Sequence, residues 1–469
     1  MLAAPLLLGG CTGSTVQGRP GASGLRDPYF PKAGNGGYDV AHYDLDLSWD
    51  PPAGAGAVGS GGGRLAGTAV LTARATQGLS AFNLDLAGLE VSRVVVDGRE
   101  ARFNHTGQEL TVRPAHELRK GAEFTVTVRY GGTPAPHRDP DGSAEGWMPA
   151  PFGGADGAVA VGEPVGSMTW FPGNHHPSDK ATYSLSISVP RGTKAVSNGV
   201  LVAAGDEDGR SRYRFRSREP MASYLATVAV GRFETTTGRS PGGIPILNAV
   251  DPGEAKAAGP ALRRLPEVLD WCADLFGPYP FESAGAIVAP AGTLGYALET
   301  QTRPVYPGPP DVPLIVHETA HQWFGDSVSP ATWKDMWLNE GFATYAEWLW
   351  SERHGGPTAE QRFRAYLSGD TAVDPSADSD WAAFPPADPP SAKSISAAPV
   401  YGRGAMVLHR VRQEIGDRAF LALLKGWATE HRHGTADTAA FTAFAERAAG
   451  RGLSKVWDTW LYGRGRPKA

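Results

Sequence analysis

His317-Glu318-Thr319-Ala320-His321 reads H-E-x-x-H, and Glu340 follows after eighteen further residues. On a helix, positions i and i+4 share one face a turn apart, so both imidazoles can reach a single metal ion. Two imidazole nitrogens and one carboxylate make a three-ligand set for zinc, with a fourth position left to water. His317, His321 and Glu340 are therefore the candidate ligands. Glu318 stands beside them, where a carboxylate can accept a proton from that water. The flanking residues suit a helix over residues 311–326: Val312, Leu314, Ile315 and Val316 are apolar, Pro313 fits a first turn, and Gly325 fits a stop. A second helical run over residues 337–355 carries Glu340. The pentapeptide alone fits an amphipathic helix with two surface histidines equally well. Asn339-Glu340-Gly341-Phe342-Ala343 at this distance favours a metal centre.

Composition narrows the class. The 469 residues suffice for two or three domains with a large core, and 41% hydrophobic with 20% charged residues is ordinary for a globular protein. Net charge is −5, without a basic run or aromatic-basic interleaving, which argues against nucleic acid as a partner. Residues 1–11 hold a short apolar stretch ending in Leu8-Gly9-Gly10-Cys11, the pattern of a lipoprotein signal with its lipobox, although no lysine or arginine precedes it. The expectation is a lipid on Cys11 as the only membrane attachment, at the bacterial cell surface outside the cytoplasm. With Cys11 lipidated, Cys272 is left without a disulfide partner and reads as a buried small hydrophobe.

Along the chain, residues 12–37 are rich in Gly, Ser and Pro and read as a flexible tether. Alternating patterns such as Tyr43, Leu45, Leu47 and Trp49, or Tyr183, Leu185, Ile187 and Val189, predict an antiparallel β domain over residues 38–243. From residue 244 to 469 the period becomes helical after a short strand at 286–289. Helices are expected near 260–276, 311–326, 337–355, 402–416, 418–432, 436–449 and 453–462. The fold class is α+β, sheet first and helices after.

Trp337-Leu338-Asn339-Glu340-Gly341-Phe342-Ala343, spaced as it is from H-E-x-x-H, resembles the signature of the aminopeptidase N family of gluzincin metallopeptidases, which also contains leukotriene A4 hydrolase. The resemblance runs from about Tyr38 to the C-terminus and implies a saddle-like β domain followed by a thermolysin-like catalytic domain. It implies one Zn2+ per chain, although cobalt or manganese could occupy the same ligands. Gly295-Tyr296-Ala297-Leu298-Glu299-Thr300 lies where the family has G-x-M-E-N, so Glu299 matches the glutamate that binds a substrate's free amino group. Glu163, eight residues before Phe171-Pro172, matches a second amine-holding position. Tyr401 in Tyr401-Gly402-Arg403-Gly404-Ala405 matches the tyrosine that stabilises the oxyanion. The family's long C-terminal helical domain is not expected, which implies a more open cleft.

The resemblance implies an aminopeptidase acting on peptides with a free N-terminus. A zinc endopeptidase, an epoxide hydrolase on the same site, and a non-catalytic peptide-binding lipoprotein are the other readings. Tyr296, Leu298 and Thr300 depart from the family motif and keep the endopeptidase reading open. His175-His176 reads as a structural loop. Asp335 and Glu347 are candidates to orient the histidines.

Overall fold

A computed structural model describes residues 17–53 and 61–467. The lipobox, Cys11 and the first residues of the expected tether lie outside the described residues. The alternating pattern over Tyr38–Asp50 buries Tyr43, Leu45, Leu47 and Trp49 on one face. That face belongs to an eight-stranded sheet in the order Val200–Glu207, Arg210–Ala222, Lys180–Pro190, Tyr38–Asp50, Arg64–Ala75, Glu123–Gly132, Glu90–Val96, Arg99–Glu100. All its pairs are antiparallel except Lys180–Pro190 with Tyr38–Asp50. Each fully buried Leu, Val or Phe on such a face contributes about 1.5–3 kcal/mol. Glycine allows one close contact there: a Cβ on Gly67 would lie 2.5 Å from the Tyr130 ring.

Two smaller sheets matter for the site. One runs His137–Arg138, Ala144–Pro149, Ala158–Val161, Val228–Gly231, Lys194–Ser197. The other runs Glu234–Arg239, Pro245–Val250, Ala284–Val288, Val305–Tyr306, its last two pairs parallel. This second sheet takes strands from both sides of residue 244.

Among the described residues eight helices of eight residues or more follow: α1 Ala255–Leu262, α2 Leu265–Phe276, α3 Val312–Ala320, α4 Trp337–Arg353, α5 Ala359–Ser368, α6 Gly404–Ile415, α7 Asp417–Glu430 and α8 Thr438–Ala449. None is long and apolar enough to cross a membrane. The β-then-α order agrees with the expected fold class.

Four expectations need correction. Residues 17–37 are not a free tether. Arg19–Pro20 pairs with the strand Leu79–Asp85, and buried Asp27 accepts from Trp333 N at 2.9 Å. The helix expected over 311–326 ends at Ala320, because the chain folds back through Gly325 (φ 129°) and Asp326 N bonds His321 O. The expected helices leave out α5: Gly355, Gly356 and Pro357 separate it from α4, and Thr358 with Gln361 forms the capping box that starts it. Residues 453–462 form a three-residue α turn and a π-helical turn, Trp457–Leu461, instead of one helix.

Candidate active site

Helix α3 starts where Asp311 accepts a hydrogen bond from Leu314 N at 2.9 Å, with Pro313 in its first turn. Its last turn carries His317 and Glu318, and His321 caps it; the two imidazole rings lie 4.8 Å apart between centroids. Phe324, just past the helix, stacks on Phe342 of α4 at 4.4 Å between centroids. That contact brings Glu340 opposite both histidines. Glu340 Oε2 is 3.1 Å from His317 Nε2 and 3.4 Å from His321 Nε2.

The other nitrogen of each ring is held by an acceptor. His317 Nδ1 is 2.7 Å from Glu347 Oε1, and His321 Nδ1 is 3.0 Å from Phe324 O. Both Nε2 atoms are thus aimed at one point shared with Glu340, and one ligand atom from each residue lies within 4.8 Å of the others. This set fits a zinc ion. Asp335, the other candidate to orient a histidine, lies elsewhere: it accepts from Thr438 N and Thr438 Oγ1 and ties α4's entry to α8.

The surrounding cavity, about 740 Å³, is lined by Glu163, Glu299, Glu318, Glu340, Glu347, Tyr296 and Tyr401 among others. The carboxylates of Glu299 and Glu318 and the His321 ring also offer atoms within 4.8 Å of one another. Glu163, Glu299 and Glu318 each keep one buried oxygen without a hydrogen-bond partner. Burial pushes the Glu318 carboxyl up to about 7. It likewise raises Glu299 and Glu163, with neighbouring carboxylates adding to the effect. Burial works against protonating His321, yet Glu299 and Glu340 raise it to about 9. Burial also opposes ionisation of Glu340, and His321 and His317 nevertheless hold it well below the usual range. The cavity is a strongly acidic place, suited to cations.

Glu299 sits in the loop after Ala284–Val288. Gln322, next to the second histidine, pins that loop: its Nε2 donates to Glu299 O at 3.2 Å and its Oε1 accepts from Thr302 N at 2.7 Å. Sequence reading missed Gln322; its only local signal was adjacency to His321. Asn198 of the β half holds the same loop by donating to Gln301 O at 2.7 Å. Glu163 follows the strand Ala158–Val161, and its peptide bond to Pro164 is cis.

Tyr401 lies in a π-helical turn, Pro399–Arg403, at the head of α6, a feature common at functional sites. Its ring stacks on His317 at 6.2 Å between centroids. Burial and the Glu340 carboxylate push its hydroxyl well above the usual range, so it stays a neutral donor. Arg403 turns away: its guanidinium donates to Trp460 O at 2.8 Å and Thr459 O at 3.1 Å, pinning the C-terminal turn. His175 and His176 are buried in a structural loop, with His175 Nε2 3.0 Å from Phe171 O and His176 Nδ1 2.6 Å from Ser178 Oγ.

Residues 40–225 match the Peptidase M1 N-terminal domain and residues 309–460 the Peptidase family M1 domain. Probable aminopeptidase 1 of Saccharolobus solfataricus is 26% identical over 407 residues, covering 82% of this chain and 50% of that protein. The chain spans half or less of the length of the first curated relatives it matches. The M1 zinc metallopeptidase of Deinococcus radiodurans superposes with a TM-score of 0.84 at 30% identity, covering 95% of this chain and 98% of that one. A point variant of it, solved with a Tyr-Ser-Ala substrate bound, gives 0.84 at 29%, covering 95% and 99%. On its sheet-then-helix architecture, its two matched domains and a structural relative matched over nearly full length, the chain belongs to the M1 family of metallopeptidases.

Proposed function

We propose that this chain is a zinc-dependent aminopeptidase that hydrolyses the first peptide bond of peptides with a free amino terminus. One observation carries the reading. Glu163, Glu299 and Glu318 each present an unpartnered buried oxygen in the cavity that holds the His317, His321 and Glu340 triad. An α-ammonium group has three N–H donors and the positive charge that such carboxylates lack. Held by Glu299 and Glu163, it sets the register, and only the first peptide bond can reach the triad. The Tyr-Ser-Ala complex of the Deinococcus relative supports the same substrate class.

His317, His321 and Glu340 would hold a zinc ion, which when bound would polarise the scissile carbonyl as a Lewis acid and make a nearby water easier to deprotonate. Glu318 takes that water's proton and passes it to the leaving amine. The neutral Tyr401 hydroxyl donates to the oxyanion as it develops. Glu347 and Phe324 O keep the imidazoles oriented through their Nδ1 atoms.

The test is a paired assay of free and N-acetylated aminoacyl fluorogenic substrates, with and without a chelator. Chelator-sensitive release from free amines alone is expected. Cleavage of acetylated peptides would make the chain an endopeptidase, and no cleavage by the zinc-loaded protein would leave a hydrolase of another kind or a binding protein. Attachment through a lipidated Cys11 is a further proposal, supported by Leu8-Gly9-Gly10-Cys11 alone; mass spectrometry of the mature N-terminus tests it.

A further inference from the structure

A second set of histidine and carboxylate atoms shares no residue with the triad. His137, Asp139 and Glu145 each offer one ligand atom, all within 4.8 Å of one another. The backbone explains why they meet. His137–Arg138 and Ala144–Pro149 form a hairpin in which His137 pairs directly with Glu145, and opposite residues of a pair share a face. Asp139 follows His137 by two residues, and Asp139 N closes the hairpin turn on Ser143 O at 3.0 Å.

No protein cation answers the carboxylates in this set. Asp139 is 7% exposed and Glu145 is fully buried. Asp139 Oδ1 has no hydrogen-bond partner. Glu145 shares a hydrogen bond with Asp139 and accepts from backbone, with Val165 N 3.2 Å from each of its oxygens. Arg138, the neighbouring cation, donates instead to Gly142 O at 2.9 Å. Among the described residues no lysine or arginine pairs with either carboxylate. Two adjacent buried carboxylates need a cation or a shared proton. The hydrogen bond between Asp139 and Glu145 supplies one shared proton, but it leaves Asp139 Oδ1 without a partner and gives the half-buried His137 ring no role. An ion that takes nitrogen and oxygen ligands together uses all three side chains. Burial pushes both carboxyls upward; Asp139 raises Glu145 further, whereas the hydrogen bond with Glu145 draws Asp139 down, and a bound ion would offset the cost of burial.

We propose that His137, Asp139 and Glu145 bind a second zinc ion, separate from the catalytic centre, that braces the hairpin. Arg138, Asp139, Asp141 and Ala144 line the same cavity as Glu163 and Tyr296, and Glu145 accepts from Val165 N two residues after Glu163, so the ion would brace the cleft wall next to that residue. The site does not depend on the peptidase reading.

Metal-stripped protein titrated with zinc chloride, with bound metal counted by mass spectrometry after gel filtration, tests it. The expected result is two ions per chain. H137N, changed at a half-buried ring where folding is least at risk, should retain one, as should D139N. The double variant H317A/H321A should also retain one, which separates this site from the triad. One ion on the wild type at saturating zinc would overturn the proposal. So would H137N and D139N binding as many ions as the wild type, or H317A/H321A binding none.

Discussion

The His317, His321 and Glu340 triad and the two glutamates proposed to face a substrate's amine, Glu299 and Glu163, line one cavity but are held by different kinds of structure. His317, His321 and Glu340 come from α3 and α4, two helices locked by Phe324 on Phe342. Glu299 and Glu163 come from loops, and the Glu299 loop is held by long-range hydrogen bonds. Gln322, just past α3, ties it to that helix, while Asn198 and Arg303 tie it to the β half, Arg303 through Gly199 O at 3.1 Å. The triad thus rides on packing within the helical half, whereas the loop that carries Glu299 depends on both halves being docked. Chemistry and register can then fail separately.

The largest effect should come from Glu318→Gln. We expect zinc content to be unchanged and kcat to fall by about 10²- to 10⁴-fold, the usual worth of a general acid-base group; near-normal turnover would remove Glu318 from proton transfer. On the loop side, Glu299→Gln should lower kcat/KM for free-amine substrates by about 10- to 100-fold, the scale of a lost charge-assisted hydrogen bond. Its metal content should not change. An equal loss of zinc would mean the two regions are not separable.

A sharper contrast lies within α4 and its entry. Glu347→Gln should weaken zinc binding by about 10- to 100-fold, as for other partners of ligating histidines. Asp335→Asn should leave zinc affinity alone and lower the melting temperature, because Asp335 bonds Thr438 rather than a histidine. Competition with a chromogenic chelator distinguishes the two. The smallest effect should come from Gly341→Ala. A Cβ there would lie 2.9 Å from Gly404 Cα, where α4 and α6 cross. Overpacking of about 1–3 kcal/mol should show as a lower melting temperature, with a modest fall in kcat as the turn carrying Tyr401 shifts.

What could be read in the sequence follows the range of the interaction. The i, i+4 histidines and the alternation over Tyr38–Asp50 are set by backbone periods of 3.6 and 2, so the residues alone determined them. The same holds for the first-turn Pro313. Tertiary structure decided where neighbours in space are strangers in sequence. Glu347 reaches His317 while Asp335 does not, although both lie near Glu340, because one side chain faces α3 and the other faces α8. Residues 17–37 look like a linker by composition, yet Asp27 finds Trp333 some 306 residues away. Helix α3 stops at Ala320, short of residue 326, with the chain beyond it turned so that Phe324 O meets an imidazole and the Phe324 ring meets Phe342. Periodicity is a local property of the chain, whereas the partners of a buried polar group are chosen only when distant segments close around it.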